Sequence, residues 1–461
     1  MATAYIYRTP SVEGDLKKWT FSFWIKHCDT DLAMAEHQTL FNQATSGSNY
    51  TQVHFKTGQQ IYFIQESSGD EDKLITNRVF RDPAAWMHVV AVWDTAASET
   101  DRMILYINGV RETSFASEVY PSLNKDSFVG ITSDPLGIGA SEYTGAFGNE
   151  FDGCMSHVHY CDGYAYAASD FGETDATSGM WTIKTGPSVS YGTNGFFMKM
   201  QDRSNLDLDS SGNALTMTTA GDLTATYDNP DNNFCTMNSL DNYYWGATLS
   251  KGNLAVVSGS NETFMQSTMG LSTGKWYWEY KDVTATGQDE FGFSSSISEA
   301  TNDKTNNGTS GRCGMVWNNY STGQVTLMKT AGSTPYTAFS DFTSGDILGF
   351  YMDLDNNKGY AALNGVIQNS GTGLDLEPVA TTNSGYYSPV WGEAAAGDMT
   401  AQINFGNGYF GTTVITSPTA DAGGIGAFKY DPSNGGATSF DGEAKDFRAI
   451  CTKNIKLYGG G

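Results

Sequence analysis

The sequence predicts an all-β chain of two tandem antiparallel β-sandwiches (jelly rolls) joined by an ordered connector. Three observations predict it. Apolar and polar residues alternate with a period of two, clusters of Gly, Asn, Asp and Thr punctuate the runs, and Asn-Gly twice follows a β run directly. No amphipathic helix of useful length separates the runs, and no heptad repeat supports a coiled-coil stalk.

The first sandwich is expected over residues 1–170. In Trp19-Thr20-Phe21-Ser22-Phe23-Trp24-Ile25-Lys26, alternation puts Phe21, Phe23 and Ile25 on one face. Trp86 to Trp93 is a continuous apolar run, as in a strand buried on both faces. Met103 to Ile107 leads into Asn108-Gly109, a pair that suits a type I′ turn because both central positions need positive φ. Phe151 to Tyr160 alternates again and closes the module. From 171 to 245 the pattern weakens, but Trp181, Phe196 and Phe197 are too apolar to leave in water, so an ordered connector is expected. The second sandwich spans 246–410, with strands around Trp276-Tyr277-Trp278, Phe291-Gly292-Phe293, Met315-Val316-Trp317 and Ile347 to Met352, and a second hairpin at Asn364-Gly365. Residues 411–461 form a tail that packs on a module or a neighbouring subunit.

At 461 residues the chain has room for two or three domains. Only 17% of residues are charged and 13% are aromatic, the balance of strand-and-turn proteins. A formal charge of −25, from 51 acids against 26 bases with no basic run, excludes a nucleic-acid partner. The N-terminus lacks the pattern of a signal peptide, and no run of about 18 apolar residues follows, so synthesis in the cytosol and no membrane span are expected. Six cysteines, at 28, 154, 161, 235, 313 and 451, show no Cys-x-x-Cys spacing. Cys154 and Cys161 could meet across a hairpin, although reduced packing thiols are the favoured reading.

The runs Trp19 to Lys26, Trp86 to Val90, Leu105 to Gly109 and Phe151-Asp152-Gly153 resemble the laminin-G-like, or concanavalin A-like, jelly roll. Gly274 to Glu279, Gly345 to Asp355 and Leu363-Asn364-Gly365 resemble the SPRY domain. As an ordered set with Arg8 to Ser11, Asp162 to Ala165, Tyr191 to Phe196 and Asn232 to Asn238, these motifs are similar to virion proteins of tailed, marine or cyanophage-like bacteriophages. That resemblance implies a tail fibre, tail-tip or capsid appendage, made in the host cytoplasm and located in the virion as an oligomer. Its partners would be other virion proteins and host-surface glycans.

Catalysis by a concanavalin-like sandwich needs two carboxylates facing one sugar. Glu13, Glu99, Glu150 and Glu173 each open a Glu-x-Asp, and in none does a third acid follow two or three residues on, so no enzyme is expected. His157 and His159 could share a strand face and ligate a metal, but a packed pair is the favoured reading. Laminin-G-like domains often bind calcium at the rim, for which Asp70, Asp72, Asp29 and Asp31 offer hard oxygen ligands; no cofactor is required. Asp353 to Asn357 looks calcium-like but is taken as a hairpin turn. Glycan recognition calls for loop rings beside amides, and Trp317, Asn318, Asn319 and Tyr320, with Glu142 and Tyr143, fit that chemistry. A virion adhesin is therefore the leading expectation, ahead of a free-standing bacterial lectin and a polysaccharide depolymerase.

Overall fold

The computed structural model describes residues 4–28, 37–143, 145–244, 246–259, 262–284, 289–295, 313–318, 324–330, 332–393, 399–433, 440 and 446–459. The chain divides into two compact units, residues 1–225 and 226–461, and each is an antiparallel β-sandwich.

In unit 1 an eight-stranded sheet runs, in spatial order, Phe115–Val119, Asp70–Thr76, Gln60–Ser67, Asn49–Lys56, Gln38–Ser46, Leu136–Ile138, Tyr5–Arg8 and Thr218–Ala220. Facing it is a six-stranded sheet ordered Phe196–Met198, Gly153–Asp162, Lys18–His27, Met87–Asp94, Met103–Ile107 and Val110–Arg111. Phe21, Phe23 and Ile25 point into the core as their alternation requires, and Phe21 stacks on Phe41 of the facing sheet at 4.1 Å. The run from Met87 is buried on both faces because a second apolar layer lies outside it. Val90, Val92 and Cys161 pack there against Ala168, Phe171, Trp181 and Tyr191.

Residues 171–245, taken from the sequence as one connector, are shared between the units. Phe196–Met198 pairs with Gly153–Asp162 and Thr218–Ala220 pairs with Tyr5–Arg8, so the segment up to 225 extends both sheets of unit 1. Phe234 bridges to Cys451, and Met237–Tyr244 edges a sheet of unit 2.

Unit 2 pairs a seven-stranded sheet, from Met237–Tyr244 at one edge to Gly332–Tyr336 at the other, with an eight-stranded sheet centred on Lys275–Thr284 and Ile347–Asp353. Trp276, Trp278, Tyr280, Phe291, Phe293, Trp317, Phe350 and Trp391 fill the space between them. The other face of the eight-stranded sheet carries Tyr277, Tyr351 and Tyr360. The tail closes over these rings with Phe428, Phe440, Phe447 and Ala449. Its anchor is Glu279, fully buried, whose carboxylate accepts from Tyr277 Oη (3.0 Å), Asn404 Nδ2 (3.0 Å) and the backbone N–H groups of Lys429 (2.9 Å) and Tyr430 (2.8 Å). Burial pushes this carboxyl up to about 7 against the pull of those four donors. A short helix, Thr452–Tyr458, ends the described chain, with Asn454 Nδ2 bonded to Asp421.

Both Asn-Gly hairpins form with the positive φ that a type I′ turn needs, 48° and 81° at Asn108 and Gly109, 48° and 79° at Asn364 and Gly365. The Asn side chain has the same task in each, accepting from the backbone N–H of His88 (2.8 Å) and of Ile347 (3.0 Å). Each turn glycine lies under a ring supplied from later in its own unit. A Cβ at Gly109 would stand 2.5 Å from Trp181, and one at Gly365 would stand 2.5 Å from Tyr430.

Candidate functional site

The strand Asn49–Lys56 shows how unit 1 builds a ring-paved surface. Thr51, Val53 and Phe55 turn inward, so Tyr50, Gln52 and His54 turn outward, and their cross-strand neighbours follow suit: Tyr50 stands opposite Glu66, and His54 opposite Tyr62. Tyr5 and Tyr7 flank the inward Ile6 and add two more rings at the other side of the same face.

Residues 141–143 and 145–148 fold back over this face. Phe147 stacks on Tyr5 at 4.3 Å and tilts against Tyr7 at 5.1 Å, while Tyr143 meets Tyr50 edge-on at 5.3 Å. An amide ladder holds the arrangement. Gln52 Nε2 donates to Thr39 (3.3 Å), Asn42 Nδ2 donates to Gln52 Oε1 (3.2 Å), and Glu142 N donates to Asn42 Oδ1 (3.0 Å). Tyr143 Oη donates to the same Gln52 oxygen, and Glu142 is turned back onto the Gly145 N–H. Tyr50 is bonded to Glu66; burial first, then that bond, pushes its phenol well above the usual range. His54 is sandwiched between His37 at 4.4 Å and Tyr62 at 5.2 Å, and burial drives its pKa well below the usual value, so it presents a neutral ring. Tyr5, Tyr7, Tyr50, Tyr62, Tyr143 and Phe147 are all half-buried: each ring is fixed on one side and open on the other. Fixed rings cost little entropy on binding, and sugar C–H faces stack on them.

Of the residues singled out from the sequence, Tyr143 belongs to this surface, whereas Glu142, expected there too, is buried with its carboxylate turned onto the Gly145 N–H. Trp317 does not belong to it either, and the expectation of a surface ring is corrected. It lies on Gly314–Asn318 with no exposed surface, packed on Phe339, Phe342 and Phe350, because its alternation partner Met315 also faces the core. Asn318, also expected at the surface, is buried opposite Glu290. Asn319 and Tyr320 lie outside the described residues, as do Asp29 and Asp31.

Asp70 is exposed at a hairpin turn, whereas Asp72 points under the sheet and pairs with Lys125 Nζ at 2.6 Å. Among the described residues no three His, Cys, Asp or Glu side chains are grouped to hold a metal ion. His157 occupies a bulge with φ 48°, and both it and His159 lie against Phe197, at 5.7 and 3.9 Å. Asp353 accepts from Asn356 N and Nδ2 and pairs with Lys275, the hairpin role taken from the sequence. Ser22 and His88 resemble a nucleophile and base at 2.8 Å, but Trp181 Nε1 donates to His88 Nδ1 (3.0 Å). That fixes the proton on Nε2, which donates to Ser22 Oγ, the reverse of what activating a serine needs.

Unit 2 carries one feature that the sequence reading missed. The inward alternation Trp278-Tyr280 continues to Asp282, and Phe291 and Trp391 continue outward along their strands to the facing pair Asp289 and Glu393. Carboxylates thus extend the core at one end of the sandwich. Asp282 has no exposed surface, and neither carboxylate oxygen has a hydrogen-bond partner among the described residues; burial, then Asp289 and Asp346, push it up to about 7. It was legible as an acid at the inward parity of an otherwise aromatic strand.

Three of the solved structures to which this chain is similar are as follows. The SPRY domain of human HERC1 is 13% identical, covering 36% of this chain and 96% of that one, with a TM-score of 0.28. The TRIM65 PSpry domain is 14% identical, covering 37% and 88%, with a TM-score of 0.27. The native heptameric SAP-like pentraxin from Limulus polyphemus is 15% identical, covering 48% and 89%, with a TM-score of 0.30. Nothing about function passes to this chain at such scores, and no curated protein matches it. Residues 2–169, most of unit 1, match the family model described as the concanavalin A-like lectin/glucanases superfamily.

Proposed function

We propose that the protein is a non-catalytic adhesin whose unit 1 binds glycan on the ring face of its eight-stranded sheet. The observation that carries this reading is the fixed set of half-open rings, Tyr50, Tyr62 and Tyr143 at one side and Tyr5, Tyr7 and Phe147 at the other. The family description of residues 2–169 supports a carbohydrate ligand. The phage-like motif order supports a place on a virion as a tail fibre, tail tip or capsid appendage, oligomeric and in contact with other virion proteins. Unit 2 is read as a SPRY-like sandwich on its Gly274 to Glu279 and Gly345 to Asp355 motifs. No cofactor is needed, since the rings bind by stacking.

The test is binding of the intact chain to host-envelope polysaccharides on a glycan array, with and without a calcium chelator, beside Tyr50→Ala/Tyr143→Ala. Each lost ring should weaken binding about tenfold. Equal binding by the variant would remove the ring face as the site, and no binding by the parent chain would remove adhesion. Purified particles should contain the chain stoichiometrically; its absence from them favours a free-standing lectin. A depolymerase is the third reading, favoured by Glu66 and Glu71 standing directly opposite on this face. Release of reducing sugar would establish it.

A further inference from the structure

Cys154 and Cys161, the pair the sequence offered, lie seven residues apart on the one strand Gly153–Asp162, about 23 Å at strand rise, and cannot meet. Cys154 instead has a different neighbour. It stands opposite Lys26, and the backbone N–H of Cys28 donates to Asp152 O at 3.0 Å, so Cys28 and Cys154 are diagonal neighbours across the two strands. Both lie on the side of the six-stranded sheet away from the core, because Ile25 and Met155 take the inward positions. Cys28 Sγ donates to the carbonyl of Lys26, the residue that Cys154 stands opposite, at 3.6 Å. Cys28 is buried and Cys154 is half-exposed, so a reagent in solution reaches the pair from the Cys154 side.

We propose that Cys28 and Cys154 are an oxidisable pair that closes to a cross-strand disulfide when the folded protein meets a small organic disulfide. Cys154 Sγ loses its proton to solvent and attacks one sulfur of the reagent; the reagent's S–S bond breaks and one small thiol leaves with that proton. Cys28 Sγ then loses its proton and attacks Cys154 Sγ, and the second small thiol departs with it. Two protein thiols are oxidised to one disulfide and one small disulfide is reduced to two thiols, with no net proton change. The neighbouring Cys154 thiol, then burial, holds the Cys28 thiol well above its ordinary range, while the buried Lys26 ammonium opposes this. The second displacement is therefore the slow one. Once formed, the bond would clamp the end of Lys18–His27 to the start of Gly153–Asp162.

The intact, folded chain is incubated with oxidised glutathione, and its thiols are counted before digestion and mapping under non-reducing conditions. Four of the six cysteine thiols should remain, with one cross-linked peptide joining Cys28 to Cys154. Cys161→Ser should leave that product unchanged, and Cys154→Ser, at a half-exposed position, should abolish it. Six surviving thiols, a stable glutathione adduct at Cys154 that Cys28 never resolves, or a bridge between any other two cysteines would each overturn the proposal.

Discussion

Replacing Asp282 by Asn should make the stability of unit 2 less dependent on pH, with a sign that the buried carboxyl dictates. Asn keeps the shape and the unpartnered polar burial of the neutral acid, but it cannot ionise. In the unfolded chain the acid loses its proton near 3.8, and in the folded unit near 7. Between those values the folded state holds a proton that the unfolded state has released. The stabilisation is complete below about 3.8 and is lost as pH rises to about 7. A shift of that size corresponds to at most about 4 kcal/mol. The strand ends are open beside the half-exposed Asp346, and screening there leaves about 2 kcal/mol. Parent and Asp282→Asn should therefore agree within about 1 kcal/mol at pH 4.5, and at pH 8 the variant should be more stable by about 2 kcal/mol, or about 0.8 M in urea midpoint. Urea-dependent hydrogen exchange of peptides covering 275–294, read by mass spectrometry on the full chain, isolates unit 2. Parallel pH profiles for the two proteins, or a variant less stable at pH 8, would refute the reasoning.

Glu279→Ala should leave four donors without their acceptor, two of them on the buried Tyr277 and Asn404, and cost about 3–5 kcal/mol, seen first as faster amide exchange at Lys429 and Tyr430. Gly109→Ala and Gly365→Ala each set a Cβ against a ring in a left-handed turn, and calorimetry should show a loss of about 1–3 kcal/mol from the affected unit. Trp317→Ala should cost about 3–5 kcal/mol in urea unfolding of unit 2, yet leave glycan affinity of the folded fraction unchanged.

The strands and turns were open to view in the sequence because they obey local rules. Phe21, Phe23 and Ile25 declare their face by period two, and Asn108-Gly109 and Asn364-Gly365 declare theirs by the φ values that few other residues accept. Alternation does not say which face will be covered a second time. Trp317 and Tyr143 each carry the local signature of a ring beside polar residues, Asn318 and Glu142, yet one fills a core and the other lies on a surface. Period two could have found the ring face in Tyr50-Thr51-Gln52-Val53-His54-Phe55, where each outward residue is a ring or an amide and the inward apolar pair Val53 and Phe55 anchors the strand. The division of residues 171–245 was hidden for a different reason. Strands as short as Phe196–Met198 and Thr218–Ala220 are defined by distant partners rather than by their own pattern.

The ring closing over each Asn-Gly hairpin bears on how the chain comes to be folded as it leaves the ribosome. Gly109 waits for Trp181, some seventy residues downstream, and Gly365 waits for Tyr430. Neither sandwich can be sealed from its sheet-forming strands alone, so a nascent unit remains unlatched until its trailing segment emerges. Chains cut at residue 170 or 410, where the strand pattern fades, would release two hairpins with bare glycines and uncovered aromatic sheets, and should be recovered chiefly as aggregates.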